Sequence, residues 1–423
     1  MNFREFFRSR SFIYPGLALV IIAGIAVRIP FTFHSGFDDQ FFTAWAAGLL
    51  RYGLTDSYKV VPGLNYPPLY LYLLDGIGHV FRWYSSEPTS SQGFVTLQKS
   101  FNVLIDTANA LLLFAIVRRV SNERRALGLA ALWLLNPYTI YDSAVWGQID
   151  TFISFFLLLA FYFLQEENLI FVYGALALGV LTKAQLAVVV PLFLFYMVRR
   201  FGWKAQWLPV LVAFVLAVLL LEPFAAAGTL SIGLTEAYVK ASSYFPYLSL
   251  NAHNIWWLVS DPYNITARSD AVPFIGSLTA KAVGVILFGI AYLIALFGLA
   301  KKPTQSLRLA DLAFASAFVY LAFYCLNTEM HERYLYPFFA LWLLTDIEPL
   351  FYYGIYFILS ITQTLSLAII TPFIPQAFWL RENWFPAITY PLSYLNIYCF
   401  VLTGCTYLPF SSKRQKPEYS NLH

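Results

Sequence analysis

Two adjacent carboxylates, Asp38 and Asp39, follow the first apolar stretch of the chain by a few residues. A carboxylate at such a boundary suits general-base work, taking the proton from a hydroxyl as that oxygen attacks. Either aspartate could equally cap the helix that follows, since Asp is a preferred N-cap residue. Far along the chain, His331, Glu332 and Arg333 stand together at the outer end of an expected helix, in MHERYLYP. An imidazole beside a planar guanidinium makes a phosphate site, with Glu332 orienting or neutralising the pair. The plain alternative is a membrane-interface anchor, where long amphipathic side chains rest. Position 335 is Leu, so the string is not the HExxH of a zinc protease. Lys183 and Gln185 lie between two apolar runs with almost no loop. A cation there is costly unless it meets an anion or snorkels to the interface. Trp146, Gln148 and Asp150 form a polar, aromatic corner suited to a sugar, the indole stacking on its face and the amide and carboxylate taking its hydroxyls. A helix-end turn is the simpler reading of the same residues. Glu222 and the segment Asn251, His253, Asn254, Trp256 and Trp257 read either as substrate contacts or as loop and belt residues.

The elements that must position these groups are greasy. The chain of 423 residues is 59% hydrophobic and 12% charged, with a mean hydropathy of +0.63. That charged fraction is about half of what a soluble domain carries. The expected class is an all-α polytopic membrane protein of about twelve spans, given that roughly 20 apolar residues cross a bilayer. The candidate spans are 12–31, 100–117, 126–143, 150–164, 168–182, 184–198, 207–223, 281–300, 309–327, 334–348, 350–370 and 391–409. The first is read as an uncleaved helix rather than a signal peptide.

Basic residues orient the bundle. Arg4/Arg8/Arg10, Arg118/Arg119/Arg124/Arg125, Arg199/Arg200/Lys204, Lys301/Lys302/Arg308 and Lys413/Arg414/Lys416 hold more than half of the 27 Lys and Arg residues. The positive-inside rule puts them in the cytoplasm. If 66–82 also spanned, every later basic group would flip, so this Pro- and Gly-bearing segment is expected to lie along the interface. The polar motifs then share the opposite, extracytoplasmic face, in outer loops 32–99 and 224–280 and at helix ends. A single transmembrane domain covers 1–410, both termini are cytoplasmic, and 411–423 is a polar tail. The net charge of +4 sits in short loops and implies no nucleic acid. Cys325, Cys399 and Cys405 show neither disulfide nor metal spacing. The sequon Asn264-Ile265-Thr266 is a chance-level match.

The order of these motifs resembles the GT-C glycosyltransferases, integral membrane enzymes that take sugar from a polyprenyl- or dolichyl-phosphate donor. The resemblance is to bacterial members related to the GPI mannosyltransferases, and more distantly to dolichyl-phosphate-glucose glucosyltransferases. It runs from Asp38…Trp45 through Tyr66-Pro67-Pro68-Leu69, Trp146-Gly147-Gln148-Ile149-Asp150 and Lys183-Ala184-Gln185 to His331-Glu332-Arg333, about three quarters of the chain. It implies a catalytic base at Asp38, with Asp39 adjacent, and a donor phosphate held by His331 and Arg333, which Lys183 is expected to join. Trp146, Gln148, Asp150, Gln185, Tyr66 and Glu332 would contact the sugar or the acceptor. Transfer of a mannose- or glucose-like hexose, with inversion, to a glycan or lipid hydroxyl would follow, at the outer face of what is expected to be a bacterial inner membrane. Members that need a divalent metal carry a DxD-type pair; here the aspartates are contiguous, so metal-independent chemistry with no cofactor beyond the lipid-phosphate sugar is expected. A flippase or transporter of a lipid-linked sugar is the rival class, although its polar groups would be expected near the bilayer midplane. A polysaccharide polymerase or ligase is a second rival.

Overall fold

Long apolar runs, punctuated by capping residues and glycines, produce a helical bundle. The computed structural model describes residues 13–36, 38–240, 243–261, 265–370 and 375–407, and of 375–386 the backbone alone. The basic groups at 4–10 and 413–416, the tail 411–423 and Asn264 of the sequon lie outside these residues. Among those described, fourteen helices reach eight residues or more. They are α1 (Ile13–Thr32), α2 (Asp39–Tyr52), α3 (Pro68–Tyr84), α4 (Gln92–Val120), α5 (Glu123–Leu134), α6 (Asp150–Gln165), α7 (Leu169–Thr182), α8 (Val190–Phe201), α9 (Trp207–Ala226), α10 (Ala280–Ala300), α11 (Leu309–Leu326), α12 (Tyr336–Leu343), α13 (Pro349–Ile370) and α14 (Pro375–Cys405). A small antiparallel hairpin, β1 (Pro273–Ile275) with β2 (Leu278–Thr279), leads into α10.

Among the described residues, seven segments are long and apolar enough to cross a membrane by length and composition: α1, α4, Ala184–Phe201, Trp203–Ala226, α10, α11 and α13. The shorter α6 and α7 are also apolar. The protein is therefore a polytopic, all-α membrane protein, but the twelve expected spans do not map one to one onto its helices. The stretch 126–143 is interrupted. There α5 ends at Leu134, Asn136 caps a separate turn at Pro137–Ile140, and a π-helical turn follows at Tyr141–Trp146. Pro137 explains the break, since it can open a helix but not continue one. The stretch 334–348 is helical only over α12, and 184–198 begins as a 3₁₀ turn before α8.

Segment 66–82 becomes α3, with Pro68 in its first turn. Its buried face (Tyr70, Leu71, Leu74, Phe81) joins Phe42 and Trp45 of α2, Phe94 of α4 and Phe224 of α9 in a cluster of its own. The larger core is built from α1 and α4–α14, around Trp133, Phe161, Phe193, Phe318 and Trp342.

The described basic groups converge. Arg119 pairs with Glu166, and Arg200 with Glu167 at 3.7 Å. Arg199 donates to the carbonyls of Leu299 and Lys302, Lys302 pairs with Asp311, Arg308 with Asp346, and Arg125 reaches the carbonyl of Thr345. These links gather three separate basic segments at one end of the bundle. Lys99 lies twenty residues back from Arg119 on α4, about 30 Å away at 1.5 Å per residue. The polar motifs meet at that far end.

Candidate active site

The turn before α2 separates the two aspartates. Asp38 occupies the N-cap position of α2, yet its side chain makes no capping hydrogen bond, so the capping alternative does not describe it. Its Oδ2 instead accepts from Gln148 Nε2 at 2.5 Å and lies 3.8 Å from the Arg333 guanidinium. Asp39, the first residue of α2, points into the protein. It pairs with Lys99 at 3.2 Å and accepts from the Gly36 amide. Burial raises the Asp39 carboxyl above its ordinary value, and Lys99 pulls against that. The Lys99 ammonium is completed by the carbonyls of His34 and Val145, each at 2.7 Å.

The expected sugar corner, Trp146 to Asp150, follows the π-helical turn. Such turns recur at functional sites because they redirect side chains within one turn. Gly147 closes it at φ +86, and a Cβ there would sit 2.7 Å from both Asp39 Oδ1 and Lys99 Cε, so only glycine fits. From α4, Gln98 and Asn102 donate to the carbonyls of Gly147 and Gln148 and fix this turn. Asp150 then opens α6, wholly buried, and Lys183 at the end of α7 places its Nζ 2.8 Å from Asp150 Oδ1. The two ions touch without being aligned as a hydrogen bond. The rings of Tyr66 and Tyr334 flank the ammonium at 5.8 and 5.9 Å.

His331, Glu332 and Arg333 correct an expectation: they lie in a tight turn, and the helix starts only at Tyr336. His331 bridges to Leu250 and Asn251 of the second loop. Glu329 and Asn251 both take left-handed backbone (φ 60 and 64), a local cost that an ordered polar turn can hold. The Arg333 guanidinium lies 5.3 Å over the Trp146 ring, donates to Glu332 Oε1 at 2.8 Å, and stands 3.9 Å from Asp150 Oδ2. Burial, with Arg333 and Lys183 nearby, holds His331 well below its ordinary value. Burial pushes Glu332 up to about 7.

Asp38, Trp146, Gln148, Asp150, Lys183, Tyr66, His331, Glu332 and Arg333 thus occupy one cluster drawn from five separated segments. Asp38, Tyr66, His331 and Arg333 are its half-buried members; Gln148, Asp150, Lys183 and Glu332 lie beneath. Trp146 is 3% exposed with the guanidinium over its ring, a buried platform for Arg333 rather than an open face for a sugar. Asp39 is set behind the cluster by Lys99. Gln185 lies in the 3₁₀ turn, where its carbonyl takes the Tyr320 hydroxyl and its side chain makes no hydrogen bond among the described residues. In the second loop, His253 is fully buried against Ser366 and Asn254 caps the turn Ile255–Leu258. Both are framework rather than open contacts.

Several groups went unseen in the sequence. Asp142 is wholly buried in the π-helical turn, and neither carboxylate oxygen has a hydrogen-bond partner among the described residues. Beneath it, Asp106 pairs with Arg28 at 3.2 Å and accepts from Ser143, Thr151 and Tyr336, each at 2.6 Å. That knot ties α1, α4, the π-helical turn, α6 and α12 under the site. Its signal was available: Gln98, Asn102, Asp106 and Asn109 recur at three- and four-residue spacing, one buried polar stripe on an apolar helix. Among the described residues no three His, Cys, Asp or Glu side chains are grouped as metal ligands.

Comparison with known proteins bears on this arrangement. Residues 48–261, half of the chain, match the family described as GPI transamidase subunit PIG-U. No curated protein matches the sequence. Among solved structures, ArnT from Cupriavidus metallidurans bound to undecaprenyl phosphate superposes with a TM-score of 0.51 at 10% identity, covering 92% of this chain and 77% of that one. The same protein in its apo state gives 0.48 at 11% identity, covering 93% and 78%. The Archaeoglobus fulgidus oligosaccharyltransferase gives 0.43 at 14% identity, covering 94% of this chain and 55% of that one. The first superposition shows a shared fold, GT-C-like and polytopic.

Proposed function

This chain belongs to the family described as GPI transamidase subunit PIG-U, and from the geometry of its polar cluster we propose that it is a glycosyltransferase taking a hexose from a polyprenyl-phosphate donor. One observation carries the reading. A half-buried carboxylate, Asp38, meets the Arg333 guanidinium and the Gln148 amide, and the Lys183 ammonium lies against Asp150 in the same cluster, all brought together from distant segments. The shared fold with ArnT, a protein crystallised with undecaprenyl phosphate, supports a lipid phosphate as the ligand class.

In this reading Arg333 and Lys183 hold the donor phosphate, with neutral His331 at its edge. Asp38 takes the proton from an acceptor hydroxyl, and Gln148 keeps that carboxylate aimed. The acceptor oxygen forms the new bond to the anomeric carbon as the bond to the phosphate oxygen breaks on the opposite face. The electron pair leaves with the phosphate, where the two cations stabilise it, and the configuration inverts. Phosphate is a good leaving group, so no strong general acid is required. In this reading the site faces the extracytoplasmic side, with the basic end of the bundle in the cytoplasm.

The family description names a subunit of a transamidase, and it favours a second reading, in which the same pocket holds a lipid-linked glycan without transferring sugar. One assay separates the two. Purified protein is given radiolabelled undecaprenyl-phosphoryl mannose or glucose with extracted membrane glycolipids, and products are resolved for a new glycosidic bond. Transfer is expected. Binding without turnover would favour the second reading, and transfer from a nucleotide sugar alone would overturn both.

A further inference from the structure

The cluster holds more acid than base. Four carboxylates face Lys183 and Arg333. Asp38 and Glu332 stand against the guanidinium at 3.8 and 2.8 Å, and Asp150 against the ammonium at 2.8 Å. Asp142 sits buried in the field of both cations. The adjoining Asp39 and Asp106 have cations of their own, Lys99 and Arg28, so they take nothing from this balance. Asp38, Glu332 and Asp150 alone outnumber the two cations, so with these three ionised the cluster opposes an arriving phosphate before any contact is made.

Glu332 is the group placed to relieve that opposition. Its Oε1 holds Arg333 NH1, a group that a phosphate oxygen needs for a two-pronged grip on the guanidinium. The groups facing it are Arg333 and His331 on its own turn, Asp38 before α2, Tyr138 from the Pro137–Ile140 turn and Tyr324 of α11. Of these side chains only Arg333 favours the ionised carboxyl.

We propose that donor and proton bind together: Glu332 takes up a proton as the phosphate arrives, releases Arg333 NH1, and leaves the guanidinium to the phosphate oxygens. This rests on the reading of the cluster as a donor-phosphate pocket. The sign follows from like-charge repulsion. A phosphate beside Glu332 raises its hold on a proton above that of the empty site, where burial already sets it at about 7. Affinity is therefore level below pH 7, falls as pH rises above it, and levels again beyond the value of the occupied site.

The probe is undecaprenyl-phosphoryl mannose, a phosphodiester whose own charge is constant from pH 6 to 9. Its affinity for the wild-type protein in detergent is expected to fall about fivefold from pH 7 to 8, because pH 7 is the midpoint of the empty site, and to approach the tenfold-per-unit slope of one linked proton above that. Glu332→Gln, which keeps an acceptor toward Arg333 without charge, is expected to bind with no such slope. Titration calorimetry of the wild type in two buffers of different ionisation enthalpy reads proton uptake directly and needs no variant. An equal slope in Glu332→Gln, or no proton uptake by the wild type, overturns the proposal. So does loss of the slope on adding Mg²⁺, since a divalent cation would then be balancing the acid. Absence of wild-type binding to both the mannose and the glucose ester at every pH instead refutes the donor class itself.

Discussion

Substituting each of the two adjacent aspartates by asparagine is expected to give opposite phenotypes. Asp38 receives one short hydrogen bond, from Gln148, and is half-buried. An asparagine can turn its carbonyl to Gln148 and its amide outward, so the fold is kept while the base is lost. General-base work contributes about 10²–10⁴-fold, and kcat is expected to fall by that factor. Donor affinity should hold or tighten slightly, because the guanidinium loses an acidic neighbour at 3.8 Å. Asp39→Asn acts on stability instead. Lys99 is wholly buried and loses its counter-ion at 3.2 Å, but keeps two carbonyls at 2.7 Å and the asparagine oxygen. Breaking a buried pair costs about 3–5 kcal/mol, and these remaining acceptors place the loss near 3. The assay is thermal unfolding of each purified variant beside turnover per folded molecule at saturating donor. Undiminished turnover in Asp38→Asn would refute the assignment. Undiminished stability with lost turnover in Asp39→Asn would move the base one residue along.

Two further outcomes test the framework. Asp106→Asn strands Arg28 in the buried knot and is expected to lower stability by about 3–5 kcal/mol; adding Arg28→Met should recover part of that loss in a thermal melt, and no recovery would refute the pair as the cause. Ser121→Cys, exposed at the end of α4 beside the basic residues, should resist an impermeant thiol reagent applied from outside, and labelling there would overturn the proposed orientation and the one-face arrangement with it.

Composition and charge placement determined the class of this protein, because burying a helix in lipid demands long apolar runs and leaves Arg and Lys only the loops. The motif residues were legible for a related reason. An ionisable side chain such as Lys183, or the pair Asp38-Asp39, stands out against an apolar chain where its placement is costly. Which elements those runs become was less legible: 126–143 reads as one apolar stretch, and only the structure shows Asn136 and Pro137 dividing it and the π-helical turn that follows. Tertiary structure also decided between neighbours. Asp38 and Asp39 are equivalent as letters, yet one faces Arg333 and the other Lys99, because the chain enters α2 between them and successive side chains diverge. It likewise turned Trp146 into a platform beneath a guanidinium and set Asp142 among its charges. The sequence marks where a charge is costly, but what compensates that charge lies tens to hundreds of residues away and is fixed only when the helices pack.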